Sequence, residues 1–217
     1  MKLGILWDLD GTLLETLEDL KDAVNYTLRH YGLPQRSLSE IRRFVGNGAE
    51  HLVRTSLPGT PADPDPLEAL SVFKEYYGTH CQEKTRPYDG IPEVLAQLAQ
   101  KYPMAVVSNK PDPATKALCA HYFPGLYAQG QTPDCPRKPA ADMVHKTMAA
   151  LGIDHCIYIG DSEVDVATAR NAGVPCLSVL WGFRDRCDLE EAGAQFFCAH
   201  PKDLPAVISA MEEHYGL

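Results

Sequence analysis

The sequence predicts an α/β fold, a doubly wound parallel sheet interrupted after its first strand by a helical insertion. Short apolar runs alternate with helical segments from residue 86 onward, a rhythm typical of parallel βαβ units. Residues 15–82 instead show helical periodicity with no intervening strand. The chain has 217 residues, 45% of them apolar, enough for one core with a modest insertion. We therefore expect a core domain of residues 1–14 and 83–217 and an inserted helical domain of residues 15–82.

The first predicted strand covers residues 2–7, an apolar run that suits a strand buried on both faces. It ends at the turn-forming sequence Asp8-Leu9-Asp10-Gly11-Thr12. Apolar residues then recur at helical spacing over residues 16–31. Thr16 and Asp19 stand in the positions of a capping box, which predicts where this helix begins.

Three more helices are predicted within the insertion. Ser37 and Glu40 form a second predicted capping box at the start of a short helix. Another helix covers residues 49–57. The last begins at Asp65, a candidate N-cap, with Pro66 in the first helical position.

Strands and helices alternate in the remainder of the chain. The predicted strands are short and apolar and cover residues 104–107, 126–129, 156–159 and 175–180. The predicted helices cover residues 92–101, 112–121, 140–151, 163–172 and 204–215. Gly152 and Gly173 follow two of these helices and are typical C-terminal caps.

Side chains capable of chemistry follow the predicted strands or lie in the loops after them. These residues are Asp8, Asp10, Ser108, Asn109, Lys138 and Asp161. In an open parallel sheet, ligands bind at the carboxyl ends of the strands. We therefore expect these side chains to converge on one edge of the sheet despite their separation in sequence.

Two carboxylates at one sheet edge predict a metal site. At an effective dielectric constant of ~20, two charges ~4 Å apart repel by roughly 4 kcal/mol, and a divalent cation removes that cost. Oxygen ligands alone favour Mg²⁺. With Mg²⁺ and Lys138, the site can accept a phosphate even though the chain has a net charge of −9. Asp8 can then attack phosphorus to form an aspartyl phosphate, with Asp10 as general acid and then general base.

The order of these motifs resembles that of the haloacid dehalogenase superfamily. The matching segments are Asp8-Leu9-Asp10-Gly11-Thr12, Ser108-Asn109, Lys138-Pro139, and Gly160-Asp161-Ser162 with Asp165. The sequences of residues 106–110 and 179–183 are similar to those of the phosphoglycolate phosphatase-like group. The resemblance covers nearly the whole chain and implies a Rossmann-like core with a helical cap inserted after the first strand.

The resemblance implies a division of labour among the aspartates. Asp8 is expected to be the nucleophile and a Mg²⁺ ligand. Asp10 is expected to be the acid/base, with its backbone carbonyl on the metal. Asp161 is expected to bind the metal through its side chain, and Asp165 to support the metal's waters or Lys138.

The resemblance also implies a phosphate site. The Ser108 hydroxyl and the backbone amide of Asn109 are expected to bind the phosphoryl group, and Lys138 to neutralise charge on it and on Asp8. The group commonly has Asp-Ser where this chain has Glu15-Thr16. This departure lies in the hinge region, where the chain enters the insertion, and it affects how that region contributes to substrate binding.

Three motifs have a structural as well as a functional interpretation. Asp165 stands in a capping box with Ser162, which alone explains its presence. Gly46-Asn47-Gly48 is either a turn between helices or a cap loop that faces the substrate. Trp181-Gly182-Phe183 is interpreted as packing and loop shape rather than substrate contact.

The predicted function is Mg²⁺-dependent hydrolysis of a small phosphorylated metabolite, with 2-phosphoglycolate as a candidate. A cap over the site disfavours protein or nucleic-acid phosphates. The alternatives are a sugar phosphomutase and another small-molecule hydrolase of the superfamily, such as a pyrophosphatase. A dehalogenase is disfavoured because Asp10 supplies an acid/base, and a non-catalytic module because every catalytic position holds a competent residue.

The composition indicates which binding partners and which cellular compartment to expect for this protein. With 20 basic and 29 acidic residues, binding to nucleic acid or an anionic membrane is not expected. The apolar run near the start is cut short by Asp8, so no secretory signal is predicted. The 7 cysteines include no Cys-x-x-Cys pair and are interpreted as free thiols. We expect a cytoplasmic monomer or homodimer.

Overall fold

The computed structural model describes residues 2–217. Its strands are β1 Leu3–Trp7, β2 Leu14–Glu15, β3 Arg86–Pro87, β4 Met104–Pro111, β5 Tyr127–Gln131, β6 His155–Gly160, β7 Cys176–Val179 and β8 Phe196–Cys198. Its helices are α1 Leu17–His30, α2 Leu38–Phe44, α3 Ala49–Ser56, α4 Pro66–His80, α5 Ile91–Leu98, α6 Asp112–Tyr122, α7 Asp142–Leu151, α8 Glu163–Ala172, α9 Arg186–Glu191 and α10 Leu204–Tyr215. A short 3-10 turn, Pro201–Asp203, precedes α10.

The main sheet confirms the predicted doubly wound parallel architecture. Within residues 2–217 six strands pair in the order β5-β4-β1-β6-β7-β8, and every pairing is parallel. β1 lies between β4 and β6, with Trp7 opposite Val106 on one side and Ile159 on the other. The carboxyl ends of β1, β4 and β6 therefore meet at one edge, where ligands bind in such sheets.

Alternate residues of β1 supply the two faces of the core. Ile5 and Trp7 belong to the larger apolar cluster on one face of the sheet, and Leu6 to a smaller cluster on the other. All three side chains are fully buried. This burial on both faces explains why β1 reads as a continuous apolar run.

The helices α1 to α4 lie between β1 and the rest of the sheet in the chain. The segments that enter and leave this insertion pair as the antiparallel strands β2 and β3, where Leu14 is opposite Pro87. Within the insertion, α1 and α3 both pack against α4. The predicted N-caps Ser37 and Asp65 are confirmed. The division into two domains stays a prediction.

The predicted capping box at the start of α1 is wrong. Thr16 makes no side-chain cap hydrogen bond. The buried Asp19 carboxylate instead accepts hydrogen bonds from the backbone amides of Lys84, at 3.0 Å, and Thr85, at 2.9 Å. These amides belong to the segment that leaves the insertion, so Asp19 joins its two ends. Sequence spacing cannot reveal this competing contact, which spans 65 residues.

Two elements of the carboxyl-terminal half were not predicted. These are α9 and β8, of which β8 forms the edge of the sheet beside β7. β4 also continues beyond the predicted residue 107, to Pro111. Within residues 2–217, no helix combines the length and the apolar character that crossing a membrane requires.

Candidate active site

A buried group of carboxylates lies at the carboxyl edge of the sheet. Asp8 follows β1, Asp161 follows β6, and Asp165 is in the first turn of α8. One oxygen atom from each lies within 4.8 Å of the others. Burial raises the pKa of Asp8 well above its ordinary value, although Lys138 opposes the shift. Burial and the charge of Asp165 raise the pKa of Asp161 to about 7. Three buried carboxylate oxygens at this spacing fit a hard divalent cation such as Mg²⁺.

Lys138 joins this group through a fully buried ammonium. Its Nζ donates to Oδ1 of Asp8 at 2.7 Å, to Oδ1 of Asp165 at 2.8 Å and to the hydroxyl of Tyr158 at 3.0 Å. Burial by itself would lower the pKa of Lys138, but the two carboxylates hold it well above its ordinary value. The lysine thus stays charged beside Asp8. Tyr158, on the central strand β6, was not among the predicted site residues.

Asp161 is fixed through both carboxylate oxygens. The hydroxyl of Thr12 donates to Oδ1 at 2.9 Å, and the backbone amide of Phe183 donates to Oδ2 at 2.8 Å. A Cβ atom on Gly182 would lie 2.3 Å from that of Asp161, so only glycine fits there. The indole of Trp181 donates to the carbonyl of Thr12 at 3.0 Å. These contacts agree with the packing interpretation of Trp181-Gly182-Phe183.

Asp165 makes contacts that fit both of the interpretations that the sequence left open. Its Oδ2 accepts hydrogen bonds from the Ser162 amide at 3.1 Å and from the Ser162 hydroxyl at 2.6 Å, which completes the capping box. Its Oδ1 accepts from Lys138. One carboxylate therefore starts α8 and also holds the lysine of the site.

The Asp10 carboxylate pairs with a lysine that the sequence analysis did not assign to the site. Nζ of Lys110 lies 2.9 Å from Oδ1 of Asp10 and donates to the hydroxyl of Tyr77 at 2.9 Å. Burial would lower the pKa of Lys110, but the charge of Asp10 more than offsets it and the pKa is raised. Lys110 directly follows Ser108-Asn109, yet sequence alone does not show that its side chain turns inward. Through Tyr77 on α4, this pair connects Asp10 to the insertion.

Asn109 holds the loop of Lys138 in place through its side chain. Its Oδ1 accepts from the backbone amide of Lys138 at 2.8 Å, and its Nδ2 donates to the carbonyl of Lys138 at 3.0 Å and to that of Gly46 at 3.1 Å. The hydroxyl of Ser108 accepts from the backbone amide of Lys110 at 3.2 Å. The phosphate contacts predicted for Ser108 and Asn109 remain predictions.

The loop Gly46-Asn47-Gly48 lies against the core at the edge of the site. Besides the contact between Gly46 and Asn109, the carbonyl of Asn47 accepts from Arg137 at 3.1 Å. The φ angles of Gly46 and Gly48 are +125° and +84°, a region that favours glycine. Contact between this loop and a substrate stays a prediction.

A cavity of about 470 Å³ lies between the insertion and the core. The core contributes the predicted site residues Asp8, Asp10, Ser108, Asn109 and Lys138, together with Lys110. The insertion contributes Gly46 and Gly48 and the helices α1, α3 and α4. These core residues are therefore accessible to a ligand that both parts of the chain enclose, whereas Asp161 and Asp165 are not among the lining residues.

Comparison with known proteins agrees with this geometry. Residues 5–179 match the model of the haloacid dehalogenase-like hydrolase family. The chain is 35% identical to the phosphoglycolate phosphatase of Rhodobacter capsulatus over 85% of its length and 87% of that relative. It is 32% identical to the phosphoglycolate phosphatase of Thiobacillus denitrificans, over 97% of this chain and 92% of the other.

Solved structures show the same fold. A candidate phosphoglycolate phosphatase of Lactobacillus delbrueckii subsp. bulgaricus superposes with a TM-score of 0.85 and 35% identity. The match covers 93% of this chain and 95% of the other. The CbbY protein of Rhodobacter sphaeroides, solved with phosphate, superposes with a TM-score of 0.79 at 22% identity, which bears on the fold alone.

Proposed function

Because the chain belongs to the haloacid dehalogenase-like hydrolase family and is a phosphatase, we propose that it hydrolyses phosphomonoesters of small metabolites through a phosphoryl group carried on Asp8. The observation that carries this proposal is the position of Asp8. Its carboxylate lines the cavity, accepts a hydrogen bond from the buried Lys138 and stands in the group with Asp161 and Asp165.

Asp8, Asp161 and the backbone carbonyl of Asp10 would hold the Mg²⁺ ion, and Asp165 would support it. When bound, the ion supplies positive charge that stabilises the phosphoryl oxygens in the transition state. The donor set supports this assignment, because buried carboxylates with a raised pKa need a cation to ionise together.

In the first proposed step, Asp8 attacks phosphorus and the bond from phosphorus to the ester oxygen breaks. Asp10 enters this step protonated, donates its proton to the departing alcohol oxygen and becomes the carboxylate that pairs with Lys110. In the second step, Asp10 takes a proton from water, which attacks phosphorus, breaks the bond to Asp8 and releases inorganic phosphate. The ammonium of Lys138, 2.7 Å from Asp8, balances the negative charge that gathers there.

The Ser108 hydroxyl and the Asn109 backbone amide would bind the phosphoryl group. Both residues line the cavity at the end of the apolar part of β4, which pairs with β1, the strand that Asp8 follows. The side-chain amide of Asn109 is already hydrogen-bonded to Lys138 and Gly46, so the backbone N–H is the group proposed to bind the phosphate. The loop Gly46-Asn47-Gly48 would meet the organic part of the substrate.

The names of the relatives make 2-phosphoglycolate the first metabolite to test. A sugar phosphomutase remains the second candidate, because it uses the same aspartyl phosphate and returns the phosphoryl group to the sugar. Incubation with a hexose 1-phosphate separates the two, since a hydrolase releases inorganic phosphate whereas a mutase yields the isomeric sugar phosphate.

Substitution of the nucleophile tests the proposed function. We expect Asp8→Asn to lower kcat on p-nitrophenyl phosphate by at least ~10³-fold, because an amide is a very poor nucleophile. Circular dichroism should show an unchanged fold. The matched control is Asp89→Asn, at an exposed aspartate outside the cavity. Substantial turnover by a folded Asp8→Asn protein would refute the role of Asp8.

A further inference from the structure

The cavity of the site is far more apolar than a phosphate site requires. Beyond the residues assigned to the phosphate and the metal, its wall includes Leu20, Val45, Leu52 and Phe73 from the insertion and Ala114 and Ala117 from α6. The side chains of Leu52 and Phe73 are buried in the larger apolar cluster, so this part of the wall continues the core. A surface of this kind favours apolar atoms over water.

The size of the cavity points the same way. About 470 Å³ lies within the ~300–1,000 Å³ of pockets that hold drug-sized ligands. The organic part of 2-phosphoglycolate is a two-carbon acid, which would leave most of the apolar wall exposed to water. An alcohol with a longer carbon skeleton would cover that wall.

The charges of the lining residues do not favour a second anionic group in the substrate. The buried cations of the described lining are Lys110 and Lys138, and each is already paired with carboxylates. The backbone carbonyls of Gly46 and Asn47 accept hydrogen bonds from the core side chains of Asn109 and Arg137. A substrate carboxylate would therefore meet no buried lysine of the described lining that lacks a carboxylate partner, and the remaining lysine of the lining, Lys74, is exposed.

On the basis of the proposed phosphatase function, we infer that the preferred substrates are phosphomonoesters of alcohols with an apolar body larger than glycolate. The phosphate binds at the carboxyl edge of the sheet, and the carbon skeleton extends along the wall formed by α3, α4 and α6. The cavity then selects substrates by apolar contact area rather than by a second charge.

A series of straight-chain alkyl phosphates tests this inference. The leaving-group oxygen is nearly the same in ethyl, butyl and hexyl phosphate, so differences in kcat/KM report contact with the wall. We expect kcat/KM to rise about two- to fourfold per added methylene, since each buried methylene contributes up to about 0.8 kcal/mol. Hexyl phosphate should also exceed 2-phosphoglycolate.

A matched pair of variants on α6 locates the effect. Ala114 lines the cavity, whereas Ala120 is exposed on the same helix outside it. We expect Ala114→Asn to reduce the ratio of kcat/KM for hexyl to ethyl phosphate by at least about threefold, and Ala120→Asn to preserve it.

The outcomes separate this inference from the proposed function. Hydrolysis that does not depend on chain length, or that is most efficient with 2-phosphoglycolate, would overturn the inference and leave the phosphatase proposal standing. An equal loss of chain-length preference in both alanine variants would also overturn it. If the protein hydrolysed none of these esters in the presence of Mg²⁺, the proposed function itself would be overturned.

Discussion

At the scale of single residues, each buried lysine of the site stands beside a carboxylate of opposite charge. Lys138 contacts Asp8 and Asp165, and Lys110 contacts Asp10. Removing one partner of a buried ion pair leaves the other charge without compensation, a loss of roughly 3–5 kcal/mol in measured cases. The partners of the proposed catalytic aspartates are therefore expected to affect stability as well as chemistry.

The variant Lys110→Met isolates the lysine beside Asp10. We expect its free energy of unfolding to fall by about 2–4 kcal/mol, because Asp10 loses its counter-charge, and kcat to fall at least about tenfold as the Asp10 side chain loses its anchor. Urea unfolding and steady-state kinetics measure the two effects. Tyr77→Phe is the control, since it removes one hydrogen bond and keeps the ion pair. Equal effects in both variants would contradict a specific role for the pair.

Asp10→Asn tests the proposed acid/base. We expect kcat on p-nitrophenyl phosphate to fall by roughly 10²–10⁴-fold, because the amide neither donates nor accepts the proton. Mg²⁺ affinity should remain nearly unchanged, since the proposed metal contact there is the backbone carbonyl. Isothermal titration with Mg²⁺ measures this affinity. A collapse of Mg²⁺ binding with kcat preserved would reverse the roles assigned to Asp10.

The sequence predicts the aspartates of the candidate site, but not their hydrogen-bond partners. Asp8 and Asp161 come directly after apolar strands, and Lys138 lies at the start of a predicted helix, positions that the sequence alone reveals. Thr12 contacts Asp161, and Tyr158 contacts Lys138. Both contacts require side-chain orientations that depend on strand register and loop conformation. A threonine in a turn or a tyrosine on a buried strand is common, so the residue type alone does not identify either as a contact of the site.

At the scale of elements, long apolar strands were easier to predict than short ones. β1 and β6 are buried on both faces and appear as continuous apolar runs. β2 and β3 contain 2 residues each, and β8 contains 3, too few for any periodicity. They exist because neighbouring chain segments supply hydrogen-bond partners. The capping box predicted at the start of α1 is wrong for the same reason, since Asp19 binds a distant segment rather than its own helix.

The loop after β7 connects the core to the insertion through Arg184. Its Nη1 and Nη2 each donate at 2.8 Å, to the carbonyls of Arg42 and Val45 at the end of α2. Its Nε contacts Glu163 of α8 at 2.7 Å. Because the amide of the preceding Phe183 binds Asp161, this loop joins the candidate metal site to the insertion.

We expect Arg184→Gln to loosen the insertion and so to alter substrate binding. Two carbonyls lose their donors, which should lower the free energy of unfolding by about 1–3 kcal/mol and raise KM about threefold or more. Urea unfolding and the KM for p-nitrophenyl phosphate measure these changes. Arg186→Gln is the control, because Arg186 pairs with Glu190 on the exposed side of α9. Indistinguishable stability and KM in the two variants would contradict this connection.

At the scale of the whole molecule, the net charge of −9 coexists with a site built for a phosphate. The cavity concentrates two buried lysines where the phosphoryl group is proposed to bind, and the metal would add further positive charge. The local field can therefore oppose the overall charge of the chain. The buried carboxylates of the site are also expected to make the stability of the molecule depend on pH and on the proposed Mg²⁺ ion.

Burial holds the pKa of Asp161 at about 7, whereas the unfolded value is ~3.9. Between these values the metal-free folded state binds more protons than the unfolded state, so its stability falls as pH rises towards 7, and the raised pKa of Asp8 acts in the same direction. Mg²⁺ needs ionised carboxylates, and its stabilising effect should therefore grow with pH.

We expect thermal unfolding in a chelator to show Tm falling between about pH 5 and 8, by ~2–4 °C for each kcal/mol lost. Saturating Mg²⁺ should raise Tm more at the higher pH, and Asp161→Asn should abolish most of that gain. A Mg²⁺-induced rise in Tm that is equal at both pH values and persists in Asp161→Asn would place the cation elsewhere in the molecule.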